Sequence, residues 1–308
     1  FGPMRRSFYP TKYASLREAL SPRFEKASSW VREHRRPLSW VTTLVAVSGL
    51  TWTLSTHGGW ASLTEAKLTR ASCLVMAVLL WPLNLGLEAW KWRKLSSDAL
   101  GHDTSRSWAV VWKEVLVGQT WALLGPFRLV DGAGRLATVD DSRLKSAAGA
   151  KAFALGAASQ GWATWFFAVP ALALAGFGLY AGILGLLIAL VARWVPMSFH
   201  GSVAACSLLR YVTFSTQYLL MLSAWNVLDP AHWISFGCPR IAAVWCAVGS
   251  IPWPAELGVR EAMAAWVFDE NLPGVVAATF ALWLVNRVGS AALGLIWVGQ
   301  AGRTMKIF

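Results

Sequence analysis

Six long apolar runs, near residues 38–56, 70–90, 152–177, 178–194, 204–226 and 272–300, leave this chain few possible folds. Crossing a hydrocarbon layer about 30 Å thick takes about 20 apolar residues. Backbone N–H and C=O groups in lipid must be bonded within their own segment, so each run is expected to be a helix. The alternating ten-residue pattern of a membrane β-barrel is missing. The fourth run is short and follows the third through a Gly-rich corner, Ala175-Gly176-Phe177-Gly178. The expected fold class is therefore all-α, a polytopic membrane protein with about six transmembrane helices. Composition agrees: 56% of residues are hydrophobic and 14% charged, against about 25% charged in soluble chains. The 20 Trp residues suit a membrane interface, where an apolar ring meets polar headgroups.

The net charge of +12 raises nucleic acid as a partner, and its distribution argues against it. Nine Lys/Arg and three acidic residues fall between Arg5 and Arg36, and the next cluster, Lys91, Arg93 and Lys94, directly follows an apolar run. Basic residues at the ends of apolar runs follow the positive-inside rule. The natural partner is a membrane lipid with an anionic headgroup or phosphate. The expected organisation is a tag-like scar at 1–3, a basic interfacial or cytoplasmic segment at 4–37, a transmembrane domain at 38–302 and a tail at 303–308. Both termini are placed on the cytoplasmic side of a bacterial or archaeal inner membrane. The four Cys have no metal-ligand spacing, and no cofactor is expected.

Two further apolar stretches are interrupted. Residues 108–124 carry Lys113, Glu114 and Gln119 and end at Gly125-Pro126, and residues 231–252 carry Arg240 and end in a Gly/Pro-rich stretch through Pro254. Proline removes a helical donor and clashes with the turn before it, so both stretches are expected to break there. Amphipathic pieces follow at 127–139 and 255–268. Read as re-entrant helix–break–helix elements, they let every basic cluster fall on the cytoplasmic side. Helix two, the first element and helix three then repeat, upside down, in helix five, the second element and helix six. Broken helices in inverted repeats are a transporter construction with the substrate near the midplane.

No enzyme signature accompanies this. The five His lie at segment ends or in loops, no nucleophile elbow or phosphate loop occurs, and Asp140-Asp141 reads as a helix start near Ser142. Charges within apolar runs are informative because each costs about 2.5–3.5 kcal/mol or more at a helix centre. Arg128, Gly132 and Arg135 cluster at the first break, and Pro252, Glu256, Gly258, Arg260 and Glu261 at the second. Arg210, Gln217 and Arg287 lie in later runs. Guanidinium groups bind phosphate oxygens through paired hydrogen bonds, which makes these arginines candidate headgroup ligands. Glu114 and Glu256 are candidates for proton coupling. Each has a structural alternative: an internal ion pair for Arg260, Glu261 and Arg287, snorkelling for Arg210, interhelical hydrogen bonding for Gln160 and Gln217.

Four segments in order carry a family resemblance: NLGLEAWKWRKL (84–95), GPFRLVDGAGR (125–135), SLLRYVTFSTQYLL (207–220) and IPWPAELGVREAM (251–263), followed by Asn286-Arg287. Together they resemble the transmembrane region of the lysylphosphatidylglycerol synthase/flippase family over about residues 38–300. Asp131 precedes Gly132, the reverse of the family's Gly-acidic order. The resemblance implies a lipid translocator with re-entrant helices, lacking the soluble aminoacyl-transfer domain and hence not an enzyme. Its expected cargo is a phospholipid or a polyprenyl- or hopanoid-type lipid. The alternative is a non-transporting accessory or scaffold subunit for a lipid-modifying enzyme, and a homodimer or such an enzyme is the expected protein partner.

Overall fold

In a computed structural model of the chain, residues 66–101, 106–124, 129–174, 176, 178–194, 201–250, 259–268 and 271–301 are described, with positions 48, 51 and 55. The basic segment 4–37, nearly all of the first apolar run, both expected breaks and the tail 303–308 lie outside the described residues. Every regular element among the described residues is helical.

Helix α1 (Ala71–Leu100) continues ten residues past the apolar run that predicted it. Its polar second half finds partners that make this continuation favourable. Lys94 pairs with Asp98 one turn on (3.2 Å), and Arg93 donates to the Arg106 carbonyl (2.8 Å) while covering the Trp108 ring. Gly101, at φ +99°, ends the helix in a conformation that L side chains disfavour.

Helices α2 (Trp108–Leu124) and α3 (Leu129–Ala137) form a tight hairpin across the first expected break. A Cβ on Gly134 would lie 2.8 Å from the Trp121 side chain and 3.1 Å from the Gly118 Cα, so only glycines allow this approach. The next helix, α4 (Ala147–Leu174), starts later than the expected position near Ser142. There the Asp141 carboxylate instead accepts from the Arg143 backbone N–H (2.9 Å) and guanidinium, holding a turn ahead of the helix.

Helix α5 (Gly178–Trp194) leans on α4, and α6 (Gly201–Ala224) runs beside α1. A 3-10 turn (Pro230–His232) and a π turn (Trp233–Gly237) lead into α7 (Cys238–Ser250), which packs on α8 (Val259–Val267) as a second hairpin. Helix α9 (Leu272–Trp283) is capped by the Asn271 side chain and passes through a π-helical turn (Leu284–Gly289) into α10 (Ser290–Ala301).

Three contacts fix where the hairpins open. Thr69 N–H donates to the Ala224 carbonyl (2.9 Å), so the start of α1 meets the end of α6 and the two are antiparallel. Arg143 reaches back to the Leu100 carbonyl (3.3 Å), so the chain around the first hairpin leaves and returns at one end of that pair. Asn271 donates to the Trp225 carbonyl (3.0 Å), which closes the second hairpin at the opposite end. The packing is also reciprocal. The first hairpin's α2 lies on α10, the second hairpin's α7 lies on α4, and α1 lies on α6. Exchanging α1–α4 (the first hairpin included) with α6–α10 maps these contacts onto one another.

Beside a packed apolar core, large apolar side chains also face outward while several charged groups lie within, unlike the usual water-soluble pattern. Leu174 is 81% and Ile234 86% exposed, while Glu114, Arg260 and Glu261 are fully buried. Among the described residues, two helical stretches, Ala71–Leu100 and Leu272–Val298, are long and apolar enough to cross a membrane by length and composition.

Candidate functional site: a buried basic cavity

Asn84, Glu88 and Lys91 recur at i, i+4 and i+7 on α1 and therefore form one polar stripe where its apolar run gives way to its polar end. All three are buried. A lone carboxylate there would be costly, and Glu88 is instead shared by three cations from three helices. It lies 3.0 Å from Lys91 on its own helix, 2.9 Å from Arg135 on α3 and 2.7 Å from Arg210 on α6.

Arg135 is held further by its own helix. Its Nε and Nη2 donate to the two Asp131 oxygens, each at 2.7 Å, a two-pronged geometry that suits a planar guanidinium. The rings of Trp92 and Phe153 lie 5.6 Å from it, within cation–π range. The close hairpin makes room for this pair: a Cβ on Gly118 would meet the Asp131 carboxylate at 2.3 Å.

Arg210 bridges α6 to α1 and α4. Its Nε donates to Asn84 (3.1 Å) and its Nη1 to Gln160 (3.3 Å), and its side chain remains 25% exposed. From the far side, the π turn directs two neighbours inward. Asn286 accepts from Asn84 (2.8 Å), and Arg287 donates to Gln119 on α2 (2.9 Å). A π turn widens one turn of helix by a residue and recurs at functional sites.

These groups line a cavity of about 390 Å³, walled elsewhere by rings that include Trp81, Trp165, Phe214 and Trp245. Among the described lining residues, four cations (Lys91, Arg135, Arg210, Arg287) face two carboxylates (Glu88, Asp131). None of the described residues forms a cluster of His, Cys, Asp and Glu able to hold a metal.

Of the residues singled out in the sequence, Arg135, Arg210 and Arg287 come together on this wall. Gln217 lies a layer behind, donating to the Ala77 carbonyl (2.9 Å). Gly132 abuts Phe153, where a Cβ would sit 2.7 Å from the ring, so its place is in packing α3 on α4. Glu114 is paired with Arg106 and accepts from Trp92 Nε1 (2.7 Å), away from the cavity. Arg260 and Glu261 are not among the lining residues; Arg260 sits 5.9 Å from the ring of Trp245, which is. Arg128, Pro252, Glu256 and Gly258 lie outside the described residues.

Glu88, the hub, is not singled out by the sequence, and Lys91 reads there as part of a basic cluster flanking an apolar run, whereas it is buried. The signal was present in the Asn84–Glu88–Lys91 spacing, a polar stripe in the last turns of an apolar run. The chain matches no protein-family model, no characterised protein and no solved structure with which it was compared.

Proposed function

We propose that the chain is an integral-membrane lipid translocator that holds an anionic headgroup in the cavity while the acyl chains stay in the bilayer. The observation that carries this reading is the excess of cations over carboxylates among the described residues lining a buried cavity, inside a molecule whose outward helix faces are apolar. Buried charge within an apolar exterior is costly and marks a substrate path in membrane proteins. A volume of about 390 Å³ accommodates a headgroup, at the lower end of the range for ligand sites.

In this reading the two hairpins are re-entrant elements dipping in from opposite leaflets. The Arg143–Leu100 and Asn271–Trp225 contacts support it, because each hairpin starts and finishes at one end of the bundle. The reciprocal packing of α2 on α10 and α7 on α4 supports an inverted repeat. With about six membrane crossings and both termini cytoplasmic, Asp103 lies inside and Asp229 outside. Cysteines placed at those two positions should then react with a membrane-impermeant maleimide from opposite sides. The motifs resembling the lysylphosphatidylglycerol synthase/flippase region agree with this assignment.

The deciding experiment is reconstitution into liposomes carrying fluorescent phospholipids, with leaflet exchange followed by dithionite quenching. Wild-type protein should accelerate exchange of an anionic lipid, and Arg210→Ala or Arg287→Ala should reduce it at least tenfold. Exchange no faster than in protein-free vesicles, for every lipid class tried, would refute translocation.

A further inference from the structure

Glu88 does not hold its three cations alike, and the difference bears on how the proposed lipid site, on which this step rests, fills and empties. Its Oε1 accepts an aligned hydrogen bond from Arg135 Nη2 (2.9 Å). Its Oε2 is buried, 3.0 Å from Lys91 and 2.7 Å from Arg210, and neither contact has the alignment of a hydrogen bond. Arg210 is thus paired with Glu88 by charge and proximity alone.

Of these three cations Arg210 is also the most exposed. Its side chain is 25% exposed, against 2% for Arg135 and 3% for Lys91. Its aligned bonds go to two neutral amides, from Nε to Asn84 (3.1 Å) and from Nη1 to Gln160 (3.3 Å). Amides fix the direction of a guanidinium without competing for its charge. All three contacts use Nε and Nη1, so the Nη2 corner lies outside them. Arg135 shows the opposite arrangement, with Nε and Nη2 forked onto Asp131, each at 2.7 Å. One guanidinium is clamped in place, and the other is lightly held on the cavity wall.

We propose that Glu88 is the internal counter-anion of the empty site, a positioning residue that holds Arg210 until a phosphate group takes it over. Two phosphate oxygens accept parallel bonds from one guanidinium, a stronger pairing than a single unaligned contact. Glu88 can release Arg210 because Arg135 and Lys91 stay beside it, so the buried carboxylate keeps two cations. When the phosphate leaves, Glu88 takes Arg210 back. The affinity for cargo is therefore a difference between two pairings of Arg210, which keeps binding weak enough for release. The phosphate belongs either to a lipid headgroup or to free inorganic phosphate.

The test uses the full chain in nanodiscs and vesicles, with phosphatidylglycerol binding read by native mass spectrometry and leaflet exchange by dithionite quenching. Glu88→Gln removes the competing charge, so phosphatidylglycerol should bind at least tenfold more tightly while its exchange slows at least threefold. A merely structural carboxylate predicts weaker binding together with slower exchange. In an Arg210→Gln background the same substitution should change binding less than twofold. A gain of the same size there would assign it to general repulsion and overturn the handover. Weaker or unchanged binding in folded Glu88→Gln would also overturn it, while leaving translocation standing. Inorganic phosphate is the second probe, titrated by calorimetry. If it alone binds, with the same response to the variants, the handover stands and the lipid site falls; binding of neither probe overturns both.

A second variant keeps the test decisive where Glu88→Gln fails to fold. Gln160→Glu is nearly isosteric, leaves Glu88 with its three cations, and puts a carboxylate oxygen where Oε1 now lies 3.3 Å from Arg210. It should tighten the resting hold and weaken phosphatidylglycerol binding at least fivefold, a loss that disappears in the Arg210→Gln background. Unchanged binding in a folded Gln160→Glu protein, or a loss that survives without Arg210, would overturn the handover.

Discussion

The two hairpins occupy equivalent places in the architecture and put their arginines to different use. In the first, Arg135 stands on the cavity wall, divided between Asp131 and Glu88. In the second, Arg260 and Glu261 are sealed in the protein, with the Trp245 ring beside Arg260 also forming part of the cavity wall. The first hairpin presents its charge to the ligand space, and the second keeps its charge in the packed core around Tyr218, Trp245 and Phe268. On the proposed translocator reading, this difference is what a site open on one side would require.

The strongest way to break this comparison is to remove the first hairpin's arginine. Arg135→Ala leaves the buried Glu88 and the half-buried Asp131 with one guanidinium fewer, and stripping one partner from a buried ion pair costs about 3–5 kcal/mol. The detergent-solubilised protein should lose much of its thermal stability, read as a fall in the midpoint on heating. A midpoint within a degree or two of wild type would mean that Arg135 is not the keystone of the wall.

A somewhat smaller effect is expected at the crossing of α2 and α3. Gly118→Val drives a side chain into the Asp131 carboxylate, which a Cβ alone would approach to 2.3 Å. Overpacking of this kind costs about 1–3 kcal/mol. The variant should melt earlier and should also lose lipid binding, because Asp131 and Arg135 move together. Retained binding in a destabilised protein would separate the hairpin's packing from the site.

The seal on the second hairpin is tested by Trp245→Leu. Shortening that ring should raise the labelling of Arg260 by phenylglyoxal several-fold, followed by peptide mass spectrometry, with Arg135 unchanged. If Arg260 in wild-type protein already labels as fast as Arg210, the contrast between the hairpins fails.

The smallest effect belongs to the end of the bundle where α1 meets α6. The Ala231 N–H and the Arg70 guanidinium hold the Asp229 carboxyl below the usual aspartate range. A lowered folded-state pKa gives stability that is present above the ordinary aspartate value and lost as pH falls through the lowered one. Since both partners are substantially exposed, Asp229→Asn should shift the melting midpoint barely beyond error near neutral pH. Any difference from wild type should vanish in acid, and a difference that grows there would assign the group the wrong sign.

Some of this was legible before any coordinates. The stretch 108–124 is a helix as its apolar length required, and the last long run appeared as α9 and α10 joined by a π turn. Apolar length is a local property, so sequence carries it. Three of the cavity's cations were also named, because arginine within an apolar run is conspicuous. What stayed hidden was partnership. Lys91 reads as a flanking charge until Glu88 and Gln160 are brought beside it by α1 and α4. In the sequence Arg260 reads equally as a ligand or as half of an internal ion pair, and the structure puts it beside the Trp245 ring, off the cavity wall. The inward aim of Arg287 depends on a π turn, for which the sequence LVNRVG offers no recognised signature.

The seating of α2 against α10 has a consequence for how the chain is made. Thr120 donates to the Ala291 carbonyl across 171 residues (2.8 Å), and a Cβ on Gly294 would strike the Leu116 carbonyl at 2.2 Å, so the two helices touch backbone to backbone. Translation proceeds at about 5–20 residues per second, so α2 waits on the order of ten to thirty seconds for the helix that covers it. Throughout that interval the first hairpin exists without its final neighbour. A chain cut short before Ser290 lacks the helix that covers this face of α2 and should be less stable than the full chain.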